Sequence, residues 1–396
     1  MRFNNETKYY IQQGLYSMAA LMISGTVLQT FLLESGIDAG AVSFYTSFMQ
    51  VMQMAVMILC SRRLENLKNI ILATAIVQIM QTAILAALLA LCYINNITIT
   101  AKYYFVFAVG IFTNIGAGIY NVVCYKIPYH IMKMNRYGIV MGITGIVTGI
   151  IGILFSTVLT VFLNKYSYFN VMSAFLLSGI AALLAAVAIT LSYRDNGFGN
   201  TCNDEREKIN LFAYRPFLIL FVPNLLRGFV IGIFNLMVTV GYHYAVLDTV
   251  SSGYLLIITN VTMIIGCAAY SLMARHNIDR WIIFVSSMGI CIIMPLILAG
   301  KSTANFLTMY GIGYFILNLI NYSVPVAVTK IVDYKIIGQY TAWRMMLNTL
   351  GSALSGIMCI PMLEIFGGTP AFAIIGVMQL LSGGAYFLCM KKVKKV

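Results

Sequence analysis

Twelve apolar stretches run from Tyr10 to Met390 with short polar breaks between them. Each is close to the roughly 20 residues that an α-helix needs to cross a hydrocarbon core of about 30 Å. Inside a bilayer every backbone N–H and C=O must find its partner within the protein, so only helices and closed barrels cross it. Barrel strands alternate apolar and polar residues with a period of two, and these stretches do not. The expected fold class is therefore an all-α, polytopic membrane protein. Its spans fall at about 10–32, 40–60, 69–93, 102–124, 139–163, 168–192, 215–240, 252–273, 281–299, 304–328, 337–361 and 369–390. Only 9% of the residues are charged and 60% are hydrophobic, where a soluble domain carries about 25% charged residues.

An even number of crossings puts both termini on one side, and the cations indicate which. On the terminal side lie 20 basic residues, among them Arg62, Arg63, Lys68, Lys126, Arg136, Arg275, Arg280, Lys330 and the tail Lys391 to Lys395, against Lys102, Lys165 and Lys301 opposite. Basic loops stay inside, so both termini are expected in the cytoplasm of a plasma-membrane protein. Topology and attraction to anionic headgroups account for the net charge of +13, and no nucleic-acid partner is expected. Met1 to Lys8 is polar and the run after it is long enough to span, so the first helix is expected to remain in the mature protein. Eight scattered cysteines and three helix-end histidines, His130, His243 and His276, lack ligand spacing. No metal site and no cofactor are expected.

The longest polar stretch, Tyr193 to Arg215, separates six spans from six. This gives an N-terminal bundle at 1–192, a cytoplasmic linker at 193–214 and a C-terminal bundle with a basic tail at 215–396. The halves echo each other. Aligning Gly40 with Gly253 sets Arg62 over Arg275 and Lys68 within one residue of Arg280, and Gly138 and Gly338 each open a helix after a basic loop. Such agreement in spacing and charge side marks an internal repeat of two six-helix units.

Twelve helices, cytoplasmic termini, a central cytoplasmic loop and basic loops after spans 2 and 8 together resemble the major facilitator superfamily of secondary transporters, over essentially the whole chain. That family's loop between spans 2 and 3 reads roughly G-x-x-x-D-R-x-G-R-K. Here Cys60-Ser61-Arg62-Arg63-Leu64-Glu65-Asn66-Leu67-Lys68 keeps the basic charge but lacks both glycines and the aspartate. Arg62, Arg63 and Arg275 are gating candidates on this resemblance. Span 5 carries Gly138, Gly142, Gly145, Gly149 and Gly152 at intervals of 4, 3, 4 and 3, which puts all five on one face where another helix can approach. It resembles the glycine-rich helix of family antiporters without its proline, and we read it as a packing or sliding surface.

The resemblance implies that spans 1, 4, 7 and 10 line a central cavity. Polar side chains are costly in hydrocarbon and usually face the protein interior or a water-filled cavity. Span 4 carries Asn114, Gly118, Asn121 and Tyr125, and span 10 carries Tyr314, Asn318, Asn321 and Pro325, both at helical intervals. Span 7 carries Asn224, Arg227, Gly228 and Asn235; span 1 carries Gln29 beside Tyr16, Thr26 and Thr30; span 2 adds Gln50 and Gln53. Arg227 lies twelve residues past Arg215, about 18 Å deep at 1.5 Å per residue. A guanidinium there needs water, acceptors or an anion. Arg344 lies nearer the inner edge and can snorkel.

All twelve acidic residues fall in loops or at helix ends, so no carboxylate relay is expected at mid-membrane. Two cations among neutral hydrogen-bonding groups point to a small polar solute, with anions among the candidates, bound at a midplane cavity and moved by alternating access. Exchange, uniport and coupling to an ion at the cavity mouth all stay open. Export of lipophilic compounds is the alternative, with 24 Met, 23 Phe and 25 Tyr available to form an adaptable cavity. No H-E-x-x-H, G-x-S-x-G or intrahelical acidic pair speaks for an enzyme. The expected partners are the solute and the bilayer, and the chain is expected to act as a monomer.

Overall fold

The computed structural model describes residues 4–23, 25–65, 69–93, 98–124, 127, 131, 137–194, 215–274, 276, 278–331 and 337–393, nearly all of them helical. In chain order the helices are α1 (Asn5–Ile23), α2 (Gly25–Glu34), α3 (Ala39–Glu65), α4 (Ile70–Tyr93), α5 (Ile99–Cys124), α6 (Tyr137–Leu163) and α7 (Tyr168–Leu191). They continue as α8 (Arg215–Asn235), α9 (Met237–His243), α10 (Thr249–Ala274), α11 (Asp279–Ala299), α12 (Thr303–Ile331), α13 (Ile337–Phe366) and α14 (Gly368–Val393).

Among the described residues, eleven helical stretches are long and apolar enough to cross a membrane, α1 and α2 counting as one of them. The sequence leads one to expect twelve. The expected span 40–60 is helical as α3, with 27 residues, and most of its side chains beyond Val56 lie outside the described residues. The expected linker lies outside the described residues from 195 onward, as does Arg275. The side chains of Arg62, Arg63 and Asn121 also lie outside the description, and so do Gly138, Gly142 and Gly145 beyond their helical backbone.

The chain divides into two compact units, Met1–Asp38 with Val51–Glu205 and Ala39–Gln50 with Arg206–Val396. In the first, α7 packs on both α1 and α4, while α5 lies against α4 and α6 against α1. Their meeting point is small by necessity. A Cβ on Gly179 of α7 would sit 3.2 Å from Leu85 and 3.7 Å from Met22, so one residue lets three helices close over a buried layer of Ala19, Met22, Leu85, Leu176 and Leu183.

The second unit is built on two close crossings, α8 with α13 and α11 with α14. A Cβ on Gly376 would stand 2.9 Å from both the Cα and the carbonyl oxygen of Cys291, so α14 lies backbone to backbone on α11, and Gln379 donates to the Ser287 hydroxyl at 3.1 Å. Pro223 lies inside α8 and supplies no N–H to its helix; its own carbonyl accepts Ser382 Oγ from α14 at 2.8 Å. The helix is interrupted at Leu236, whose N–H reaches Ile233 O at 3.0 Å and Gly232 O at 3.1 Å, before α9 resumes.

Candidate functional site

Arg227 sits on the α8 face that meets α12, is only 3% exposed, and donates through Nη2 to Asn321 Oδ1 at 2.6 Å. Its Nε and Nη1 are buried without a hydrogen-bond partner among the described residues. Among the described residues, the groups acting on its charge are Tyr386 and Arg344, with no carboxylate among them. Arg344 on α13 is 8% exposed, and its Nε is likewise buried and unpartnered. Two like charges thus lie within electrostatic reach in a setting where an isolated cation is costly.

Close packing fixes where these cations stand. A Cβ on Gly228 would strike the backbone of Asn348, one on Gly232 would lie 2.7 Å from Ser352 Cα, and one on Gly351 would strike the backbone of α8 at Leu225 and Phe229. Small residues at helix crossings let backbones approach this closely in membranes. Arg227 and Arg344 are therefore carried by two helices that behave as one rigid pair.

The other expected residues of this unit divide by how well they are satisfied. Asn224 is pinned: its Oδ1 accepts the Tyr386 hydroxyl at 2.6 Å and its Nδ2 donates to Leu220 O at 2.7 Å. Asn235 is exposed at the last position of α8. Asn318 is buried with its Nδ2 unpartnered, and Gln50 has a buried, unpartnered Oε1. Tyr314 is part-buried and stacks on Tyr310 at 5.5 Å. The buried carboxylate Asp279, 1% exposed, opens α11 and accepts the Tyr270 hydroxyl at 2.7 Å.

In the first unit Asn114 turns its Nδ2 back to Gly110 O at 2.9 Å, Gln29 is buried and Gln53 is part-buried. Gly149 and Gly152 are buried on α6. The unit also contains a buried polar network that the sequence reading missed. Gln13 donates to Gln12 at 3.0 Å and to the Tyr120 hydroxyl at 3.2 Å, Tyr16 stacks on Tyr120 at 3.9 Å, and Gln81 donates to the Tyr16 hydroxyl at 3.0 Å. Thr190 donates to Gln78 Oε1 at 3.1 Å. The signal was present in four glutamines inside apolar runs, Gln12 and Gln13 adjacent and Gln78 and Gln81 three apart.

Gln78 holds its network only from one side, because its Nε2 is buried without a partner and Thr190 also bonds to Ala186 O at 2.8 Å. Replacing it by leucine removes an unsatisfied donor and leaves Thr190 paired. Gln78→Leu should therefore keep the thermal midpoint of the purified protein within the change set by about 1 kcal/mol, in either direction. A loss beyond about 3 kcal/mol, the upper end of the range for a buried group stripped of its partner, would show that this glutamine is essential to the bundle.

A family-wide sequence model described as Major Facilitator Superfamily matches residues 10–356. Solved structures similar to this chain include a variant of the nucleoside transporter NupG, with a TM-score of 0.75 at 14% identity over 98% of this chain and 100% of that one. A D-xylose-proton symporter gives 0.73 at 14% identity over 96% of each chain. A bacterial homolog of the human lysosomal transporter Spinster, inward-facing and unoccupied, gives 0.69 at 11% identity over 98% of this chain and 96% of that one. At these identities the likeness is one of fold. No curated protein matches the chain.

Proposed function

The chain belongs to the major facilitator superfamily of multi-pass membrane transporters, and from that premise we propose that it carries a small polar anion across the plasma membrane by alternating access, with both termini in the cytoplasm. Arg227 holds the solute's negative charge near the midplane, helped by Arg344, Asn318 and Asn321. The observation that carries this reading is the unpartnered guanidinium: Arg227 is buried, yet its Nε and Nη1 have no acceptor among the described residues. Buried N–H groups on a cation are rarely left without partners. An anion that arrives and leaves supplies them intermittently, which a transport cycle requires.

The electrostatics favour the same solute. A proton or sodium site would be built from carboxylate or carbonyl oxygens, and the groups acting on Arg227 include a second cation instead. A neutral solute would leave that repulsion in place.

A second reading, export of a lipophilic compound, has one observation in its favour. In the first unit a groove of about 650 Å³ between α1, α6 and α7 is walled almost wholly by apolar side chains, including Met18, Ile151, Phe155, Val158 and Phe175. Proteoliposomes separate the two. Uptake of short mono- and dicarboxylates and organophosphates is expected, with neutral pentoses and nucleosides left outside. Transport confined to neutral solutes would contradict the anionic reading, and extrusion of a lipophilic dye with every anion ignored would favour the second one.

A further inference from the structure

Helices α8 and α12 meet at two levels in register. At the first, Arg227 donates to Asn321 at 2.6 Å. Seven residues further along α8 is Phe234, and seven residues earlier on α12 is Tyr314; their rings lie 6.0 Å apart at 60°. Seven residues are about two turns, which return each side chain to nearly the same face some 10 Å along the axis. A cationic level and an aromatic level are thus stacked on one side of the same two helices.

The aromatic level is held rigidly. Tyr310 stacks on Tyr314 at 5.5 Å with 29° between planes, and the Tyr310 hydroxyl is tied to Thr259 Oγ1 at 2.8 Å. Phe234 and Tyr310 are each 2% exposed, while Tyr314 is part-buried. One turn from Tyr314 toward the cationic level, Asn318 has a buried, unpartnered Nδ2. Read along α12 this is a ring platform, then an amide donor, then a guanidinium, the amide Nδ2 and the Nε and Nη1 nitrogens lacking partners among the described residues.

We infer that the solute is an aryl anion: a planar ring that stacks on Tyr314, joined to a carboxylate, phosphonate or sulfonate that meets Arg227, with an acceptor between them for Asn318. This rests on the anionic reading proposed above and sharpens it. Offset or edge-on contact with a fixed ring adds to the burial of the solute's ring surface, so the ring should be worth about tenfold in affinity.

Three probes divide the contributions. Hippurate has ring, carbonyl acceptor and carboxylate; N-acetylglycine keeps the last two and lacks the ring; benzamide keeps the ring and lacks the charge. Thermal stabilisation of the detergent-purified full chain is read against the concentration of each. Hippurate should reach half-effect at about one-tenth the concentration of N-acetylglycine, with benzamide inert. Tyr314→Leu should erase that difference while leaving N-acetylglycine unchanged, and Tyr314→Phe, which keeps the ring, should retain it. Equal potency of hippurate and N-acetylglycine on the unaltered protein overturns the aryl inference alone. No shift with either anion, or a benzamide shift matching hippurate, overturns the anionic reading and this inference with it.

Discussion

Arg227→Gln should weaken binding of the transported anion by about 30-fold to several thousand-fold while the protein still inserts and folds. The magnitude follows from what is removed. Loss of one member of a buried, hydrogen-bonded charge pair costs about 2–5 kcal/mol, and each 1.4 kcal/mol is tenfold. The folded state should tolerate the change. Glutamine ends near the place of the arginine Nε, so the 2.6 Å bond of Nη2 to Asn321 Oδ1 is lost, but the variant no longer buries a cation beside Arg344, which relieves an unfavourable term. Arg227→Lys should fall between the two, because an ammonium supplies charge without the planar fork that grips an oxyanion through two N–H bonds. Initial uptake rates in proteoliposomes, normalised to protein recovered as a single species, read the effect. Uptake unchanged in Arg227→Gln would remove this side chain from the site.

Gly351→Leu should prevent the second unit from assembling. Even a Cβ at this position would collide with the Leu225 carbonyl and lie 2.7 Å from Phe229 N, and these are backbone atoms of a helix that cannot turn aside. Overpacking a well-filled interior costs about 1–3 kcal/mol when side chains can adjust. Here only separation of α8 from α13 relieves the clash, so the loss should lie at or above the top of that range. Gly384→Ala is the matched control, since a Cβ there meets nothing within 4 Å. Size-exclusion profiles and thermal midpoints in detergent should show a folded control and a disrupted variant. A Gly351→Leu protein as stable as the parent would mean that α8 and α13 are not locked together.

Length and apolarity made the helical architecture readable, because a segment of about 20 apolar residues has few places to go but lipid. Within α3, Ser43 Oγ gives its hydrogen bond to the Gly356 carbonyl of α13, a contact that the apolar pattern does not carry. Arg227 was legible for the same reason the helices were, as a charge inside an apolar run. Its partner Asn321 was legible as part of a polar stripe on span 10.

What stayed hidden depends on which helices abut, and a single sequence carries little of that. The role of Asn224 is set by Tyr386 of α14, a helix the reading left outside the site. Asn235 shares the unbroken helix α8 with Asn224, but it is exposed at the helix end, and exposure is not written in the sequence. The glycines on span 5 drew notice because they form a visible local pattern. Gly228 and Gly232, four apart, form a G-x-x-x-G pair that is legible in the sequence, whereas Gly351 matters only through its contact with α8. The glutamine network of the first unit depends on Tyr120 of α5 and Thr190 of α7 meeting glutamines of α1 and α4, a pairing between helices that no single segment displays.

Ligand-induced stabilisation of the purified protein and of Arg227→Gln, measured side by side with the same transported anion, tests the central claim most directly. A ligand at 100 times its Kd stabilises the folded state by about 2.7 kcal/mol, which a thermal melt resolves. The account predicts a clear upward shift in the parent and at most about a third of it in the variant at the same concentration. Equal shifts in both would contradict it, because the negative charge would then be held somewhere other than Arg227.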